Sequence, residues 1–246
     1  MGFFTALKFL TIFPLPKRLD KATEDFGTSL PYIPLVGLVL GAILFGLHYG
    51  LSFILPPAVI SVLLIIALAI MTGAHHLDGL MDSFDGMVIG KSRERRLEIM
   101  ADSHIGAFGI IAAILLLLLK YVALVSLPEV MMMPSLLLMP TLSRWIMVSA
   151  LFTFPYARSS GMGLSFKQGA NWQRFAIATA IALIVSVLLL SWWGAVLMAA
   201  LWLIIFGIAS YFNSRLGGLT GDVYGALNEL SEVLVLLLIL ILVWRL

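Results

Sequence analysis

The sequence contains no cysteine and few charged residues. Without cysteine the chain can form no disulfide, thiolate metal site or cysteine nucleophile, so a bound metal must be held by oxygen or imidazole ligands. Only 11% of the 246 residues are charged, against about 25% in an average soluble domain, and the net charge is +2. A nucleic-acid-binding protein needs a basic patch on a soluble domain. This composition therefore argues against nucleic acid as a partner.

Long apolar segments dominate what is present. The chain is 61% hydrophobic, and its mean hydropathy is +1.08. A transmembrane helix needs about 20 apolar residues. We predict an all-α, polytopic integral membrane bundle, a single catalytic domain over 1–246, with about six full transmembrane helices and a short interfacial or re-entrant helix within 2–14. The apolar segments lie near 33–55, 58–73, 107–127, 131–154, 174–190, 194–212 and 229–244.

The basic residues predict the orientation in the membrane. Eleven of the fifteen Lys and Arg residues fall in four polar connections, which this arrangement of spans places on one side. Loops rich in Lys and Arg remain in the cytoplasm. We therefore expect a cytoplasmic active site built from segments near 75–106, 155–173 and 213–230. The eleven are Lys17, Arg18, Lys21, Lys91, Arg93, Arg95, Arg96, Arg158, Lys167, Arg174 and Arg215.

Two groups of acidic residues predict a metal site. Asp78, Asp82 and Asp85 are spaced i, i+4, i+7, which places them on one face of a helix, and Glu98 and Asp102 repeat the i, i+4 spacing. Carboxylates this close repel one another unless a cation compensates them. Their hard oxygen ligands suit Mg²⁺ or Mn²⁺, so all five residues are predicted metal ligands. The alternative is a solvated acidic loop whose carboxylates pair with the basic residues 91–96.

Further polar residues are candidates for substrate binding. Arginine can bind phosphate through two parallel hydrogen bonds, and an arginine within a span usually faces a polar partner or cavity. Near the last span, Asp222 and Glu229 share a helix face if Thr220 caps that helix; solvated acids at a helix start are the alternative. For His76, metal ligation is an alternative to a polar contact. The predicted substrate-binding residues are His76, Arg93, Arg95, Arg96, Arg144, Arg158, Asp222, Tyr224, Asn228 and Glu229.

Two family resemblances follow from these motifs. Asp82 to Gly86, followed by arginine and then Glu98 and Asp102, partly resembles the acidic signature of the CDP-alcohol phosphotransferases, which are membrane enzymes that use two divalent metals. A closer resemblance, to the cobalamin synthase family, covers nearly the whole chain. It rests on residues 9–14 (FLTIFP), 32–37 (YIPLVG), 76–86 (HLDGLMDSFDG), 96–103 (RLEIMADS) and 219–226 (LTGDVYGA) with Glu229. His104 is a departure, because the family pattern leads us to expect arginine there.

The second resemblance implies the reaction of an adenosylcobinamide-GDP ribazoletransferase in the cytoplasmic (inner) membrane of a bacterium. α-Ribazole or its 5'-phosphate attacks the activated phosphoryl group of adenosylcobinamide-GDP, and GMP is released. Asp82, Asp85 and Asp102 would be catalytic, with Asp102 accepting the proton of the attacking hydroxyl by analogy with the related signature. The rival functions are a CDP-alcohol phosphotransferase and a cation transporter, although transporter sites usually lie at mid-span. The lipid bilayer is a partner, and a homo-oligomer remains open.

Overall fold

The computed structural model describes residues 2–14, 26–102 and 104–245, and all of its regular elements are helices. They are α1 (Gly2–Leu10), a 3-10 helix (Phe26–Tyr32), α2 (Ile33–Leu51), α3 (Pro57–Met71), α4 (His75–Ile89), α5 (Arg93–Ile99), α6 (Ala107–Ser126), α7 (Glu129–Thr153), α8 (Met162–Gly169), α9 (Trp172–Leu190), α10 (Trp192–Leu216) and α11 (Gly221–Arg245).

Within the described residues, six helical segments are long and apolar enough to cross a membrane, which confirms the predicted all-α polytopic bundle. The nine-residue α1 is too short to do so and packs against the 3-10 helix and α2. The last helix begins at Gly221, eight residues before the predicted span, because Thr220 caps it by accepting a hydrogen bond from the backbone N–H of Val223. The six segments are Phe26–Leu51, Ala107–Ser126, Glu129–Thr153, Trp172–Leu190, Trp192–Leu216 and Gly221–Trp244.

A sharp bend divides the apolar segment that was predicted near 58–73 from the acidic helix after it. The 15-residue α3 rises about 22 Å, less than the roughly 30 Å of a bilayer core. The chain then turns by 89° into α4, through Gly73 and Ala74 in left-handed backbone conformations with φ of 62° and 55°. Together α3 and α4 form a broken span or a re-entrant loop, so the apolar segment predicted near 58–73 is the first half of a bent pair of helices. The bend places the acidic residues of α4 at one end of the bundle.

Helix α7 is the centre of the bundle, and every residue from Leu138 to Leu151 is buried. It packs against α2, α9, α10 and α11. Glycines of α2 allow the closest of these approaches, as small residues do in membrane helices. A Cβ at Gly37 would overlap the carbonyl group of Pro140, and one at Gly41 would lie 2.5 Å from the carbonyl oxygen of Leu136.

The contact between α2 and α7 gives a stability prediction. Gly37→Ala should destabilise the protein by about 1–3 kcal/mol, because the added methyl group must push two backbones apart. Gly46→Ala on the same helix should be neutral or slightly stabilising, since nothing lies within 4 Å of a Cβ there. Thermal unfolding in detergent, followed by circular dichroism, measures both. Equal Tm values for the two variants would contradict the packing argument.

Candidate functional site

Three connections meet at one end of the bundle: those between α4 and α6, between α7 and α8, and between α10 and α11. Arg93 joins them, since its Nε donates to the carbonyl of Leu216 at 2.7 Å and its guanidinium also donates to the carbonyl of Ala157 at 3.2 Å. The backbone N–H of Leu219 donates to the carbonyl of Pro155 at 2.8 Å. The three segments singled out in the sequence are thus brought together.

A cavity of about 490 Å³ opens among these segments, and its walls differ in character. Part of the lining is polar and part is apolar and aromatic, and the rings of Tyr156 and Tyr224 stack with their centroids 6.5 Å apart. The polar residues of the lining are Lys8, Thr72, His75, His76, Asp78, Arg158 and Asp222, and the large apolar and aromatic ones include Phe9, Leu10, Ile33, Met147, Leu151, Tyr156, Phe166 and Tyr224.

Close packing of α4 on the start of α11 builds the acidic wall. A Cβ at Gly79 would lie 2.7 Å from the backbone oxygen of Asp222, so glycine is needed for this approach. The contact brings the exposed carboxyl group of Asp78 and the half-buried one of Asp222 to the same cavity. A guanidinium nitrogen of Arg158 donates to Asp222 at 2.9 Å, and the Thr220 hydroxyl donates to the same carboxyl oxygen at 3.2 Å.

Asp82 lies one helical turn beyond Asp78 and is half buried. It interacts electrostatically with the carboxyl groups of Asp78, Asp222 and Asp85, while Arg158 opposes them. Like charges at this distance destabilise one another. The group therefore has an excess of negative charge, as the sequence predicted for α4, and the structure adds Asp222 from a distant part of the chain.

Asp85 has a structural task that the sequence did not reveal. Its carboxyl group is buried, with 4% of the residue exposed, and accepts hydrogen bonds from the backbone N–H groups of Gly106 at 2.8 Å and Gly109 at 3.0 Å. These are unpaired donors at the start of α6, where a negative charge is also favoured by the helix dipole. Asp85 therefore fixes α6 to α4, and its metal and catalytic roles stay predictions.

Glu98 and Asp102 are exposed and have other partners. Glu98 pairs with Arg95 at 3.0 Å, and Asp102 accepts hydrogen bonds from the ring and backbone nitrogens of His104, at 2.6 Å and 3.1 Å. These bonds lower the pKa of Asp102 and raise that of His104. While this pair persists, Asp102 is a weaker base than an ordinary aspartate.

The five predicted metal ligands do not form one cluster, because the described residues contain no group of three or more His, Asp or Glu side chains that could hold a metal ion. Mg²⁺, however, is commonly held by only one or two carboxylates together with water and substrate phosphate. Asp78 and Asp222 supply such carboxylates in the cavity lining, and Asp82 interacts electrostatically with both, so the group has an excess of negative charge. The donor set therefore fits Mg²⁺ or Mn²⁺ by its chemistry.

Several predicted substrate contacts have partners within the protein, and their substrate roles stay predictions. Arg93 bonds two backbone carbonyls, and Arg95 forms the surface ion pair with Glu98. Arg96 packs against Gly90, since a Cβ added at Gly90 would lie 2.8 Å from the Cα of Arg96. Of the predicted arginines, Arg158 alone lines the cavity.

Arg144, Asn228 and Glu229 belong to a buried network between helices, and their roles as substrate contacts stay predictions. Arg144 is fully buried and pairs with Glu232, while Lys120 of α6 lies 2.8 Å from Glu229 and 2.7 Å from Glu232. Two cations therefore balance two carboxylates. Glu232 follows Glu229 by three residues in an apolar helix, and this spacing was the signal available in the sequence.

The apolar wall was missed as well, because its residues come from distant elements. Phe9 of α1, Phe166 of α8 and Tyr156 have no shared spacing or motif that would link them before the chain folds. Tyr224 was predicted, and it does line the cavity, where its hydroxyl lies buried without a partner among the described residues.

Comparison with known proteins identifies the family that this chain matches. A family model described as cobalamin-5-phosphate synthase matches residues 2–240. A Desulfitobacterium hafniense (strain Y51) protein named adenosylcobinamide-GDP ribazoletransferase is 42% identical over 242 residues, covering 94% of this chain and 93% of its own length. Proteins of the same name from Roseiflexus sp. (strain RS-1) and Geotalea daltonii are 37% and 38% identical, and cover 94% and 96% of this chain and 86% and 95% of their own lengths. No solved structure gives a significant match.

Proposed function

This chain belongs to the cobalamin-5-phosphate synthase family, and we propose that it transfers the adenosylcobinamide-phosphate group of adenosylcobinamide-GDP to α-ribazole or α-ribazole 5'-phosphate, releasing GMP. It is an integral membrane enzyme of cobalamin biosynthesis. The relatives of that name, matched over nearly their whole lengths, support the reaction. The observation that carries it in this molecule is the cavity whose lining combines the carboxyl groups of Asp78 and Asp222 and the guanidinium of Arg158 with aromatic rings.

The size and lining of the cavity indicate which parts of the two substrates it can hold. About 490 Å³ suits a drug-sized ligand, and a nucleotide or a ribazole is of this size, whereas the corrin ring system is several times larger. We place the diphosphate at the polar wall, the planar base of the acceptor at the stacked tyrosines, and the corrin outside the mouth. The concentration of basic loops at this end supports a cytoplasmic orientation in the bacterial inner membrane.

The described side chains would act as follows. Arg158 has further N–H groups beside the one that it donates to Asp222, and these can bind phosphoryl oxygens. One or two of the carboxylates Asp78, Asp82 and Asp222 would hold Mg²⁺ or Mn²⁺, together with water and substrate phosphate, and the bound ion would neutralise the charge of the diphosphate and of the leaving GMP. Asp102 remains the proposed acceptor of the proton from the attacking hydroxyl, and to act it must exchange its contact with His104 for one with substrate.

The full-length protein in detergent or liposomes provides the test. With adenosylcobinamide-GDP and α-ribazole, we expect GMP release that EDTA abolishes and that added Mg²⁺ restores, because the acidic wall needs a cation to bind a diphosphate. CDP-diacylglycerol with an alcohol acceptor is the control for the phosphotransferase alternative. Absence of GMP release with the first pair, or CMP release with the second, would contradict the proposed reaction. Full activity in EDTA would contradict the proposed metal dependence but not the proposed reaction.

A further inference from the structure

His76 connects the buried network to the cavity. It lies in the cavity lining with 7% of the residue exposed, and its Nδ1 atom faces into the protein. Nδ1 lies 3.2 Å from Nδ2 of Asn228 and 3.5 Å from a terminal nitrogen of Arg144. One ring nitrogen of this histidine is therefore surrounded by nitrogen atoms of two other side chains.

These contacts determine which nitrogen of the ring carries the proton. A guanidinium can only donate. The amide nitrogen of Asn228 also donates, because it lies 3.2 Å from Oε1 of Glu232, where the amide oxygen would be repelled. Nδ1 of His76 therefore accepts the hydrogen bond from Asn228, and Arg144 is a weaker donor at the limit of hydrogen-bond distance, so a proton on Nδ1 would face two donors. The ring is therefore neutral and carries its hydrogen on Nε2.

Nε2 lies on the other edge of the ring. It has no hydrogen bond within the part of the chain that the structure describes, yet it is not among the buried side-chain nitrogens that lack a partner. Since His76 contributes to the cavity lining, this edge faces the cavity. Asp78 and Arg158 lie in the same lining.

We propose that His76 is a fixed, neutral hydrogen-bond donor, whose Nε2–H binds a phosphate oxygen of the nucleotide in the cavity. Arg144 and Asn228 are its positioning residues, because they hold Nδ1 as an acceptor. A fixed N–H at Nε2 also removes the lone pair that a metal would need, so His76 is not a metal ligand. This inference rests on the proposed function for its substrate, but the protonation pattern of the ring does not depend on it.

Two amide replacements separate the two edges of the ring. His76→Gln can place an N–H near the position of Nε2, whereas the shorter His76→Asn reaches only the position of Nδ1. We expect His76→Asn to lower kcat/KM for adenosylcobinamide-GDP by about 10- to 100-fold, the worth of a hydrogen bond to a charged group, and His76→Gln to retain most of the activity. Equal losses in both variants, or no loss in His76→Asn, would overturn the proposal.

Nitrogen NMR tests the same inference without turnover. In full-length protein labelled with ¹⁵N-histidine at pH 7, the signals that disappear in His76→Gln should show one protonated nitrogen, at Nε2, and one unprotonated nitrogen, at Nδ1. Added GMP should shift the Nε2–H signal. A doubly protonated ring, a proton on Nδ1 or no response to GMP would overturn the proposal. A wild-type protein that shows the expected pattern and GMP response but no transfer would contradict the proposed reaction instead.

Discussion

Asp82→Asn is expected to lower the rate of GMP release by about 100- to 1000-fold while the protein remains folded. The side chain lies beside Asp78, Asp222 and Asp85, and Arg158 is the cation that opposes them. Removing one negative charge from such a group relieves repulsion, so the Tm in detergent should stay equal or rise. A loss of activity without a loss of stability would therefore identify a functional carboxylate. Near-normal turnover would contradict the predicted role of Asp82 in the metal site.

Asp85→Asn is the matched control on the same helix. An asparagine can accept only one of the two backbone N–H bonds now made by the carboxylate, and its own N–H₂ group would face the other donor. This variant should lose about 1–3 kcal/mol of stability, and any loss of activity should accompany the lower Tm. If both variants kept the wild-type Tm and both lost activity, the structural role of Asp85 would be contradicted, and the metal-binding and catalytic role predicted from its spacing would be supported.

The second large effect is expected at Arg144. Arg144→Met should destabilise the protein by about 3–5 kcal/mol, because it leaves the buried carboxylates Glu229 and Glu232 with only Lys120 between them. Thermal unfolding in detergent should show a Tm lower by on the order of 10 °C. Activity should also fall in the protein that remains folded, since His76 loses one of its two donors.

A double variant distinguishes charge balance from packing. Arg144→Met with Glu232→Gln leaves one cation, Lys120, and one carboxylate, Glu229, and should recover much of the lost stability. Arg95→Met is the exposed control, because its pair with Glu98 lies on the surface and should contribute about 0–1 kcal/mol. A double variant no more stable than Arg144→Met, or an Arg95→Met variant with the same loss, would contradict the balanced network.

The spacing of polar residues was a good guide where neighbours in the sequence remain neighbours in the fold. The i, i+4, i+7 pattern of α4 did place Asp78, Asp82 and Asp85 together, and Thr220 does cap the last helix. The same reasoning failed to join Glu98 and Asp102 to this group, because an i, i+4 pattern does not say where the next helix packs. It also could not distinguish Asp85 from Asp82, since a pattern of carboxylates carries no information about their hydrogen-bond donors.

The sequence by itself determined the class of the protein, the family resemblance and the end of the bundle where polar residues collect. These follow from apolar segments long enough to cross a bilayer, from local motifs and from the placement of basic residues. Only the tertiary structure shows which groups become neighbours: Asp222 lies beside α4, Asp85 at the start of α6, and Arg144 within 3.5 Å of His76. Each partner is brought in by a helix distant in the chain, and such long-range packing leaves no periodic signal in the sequence.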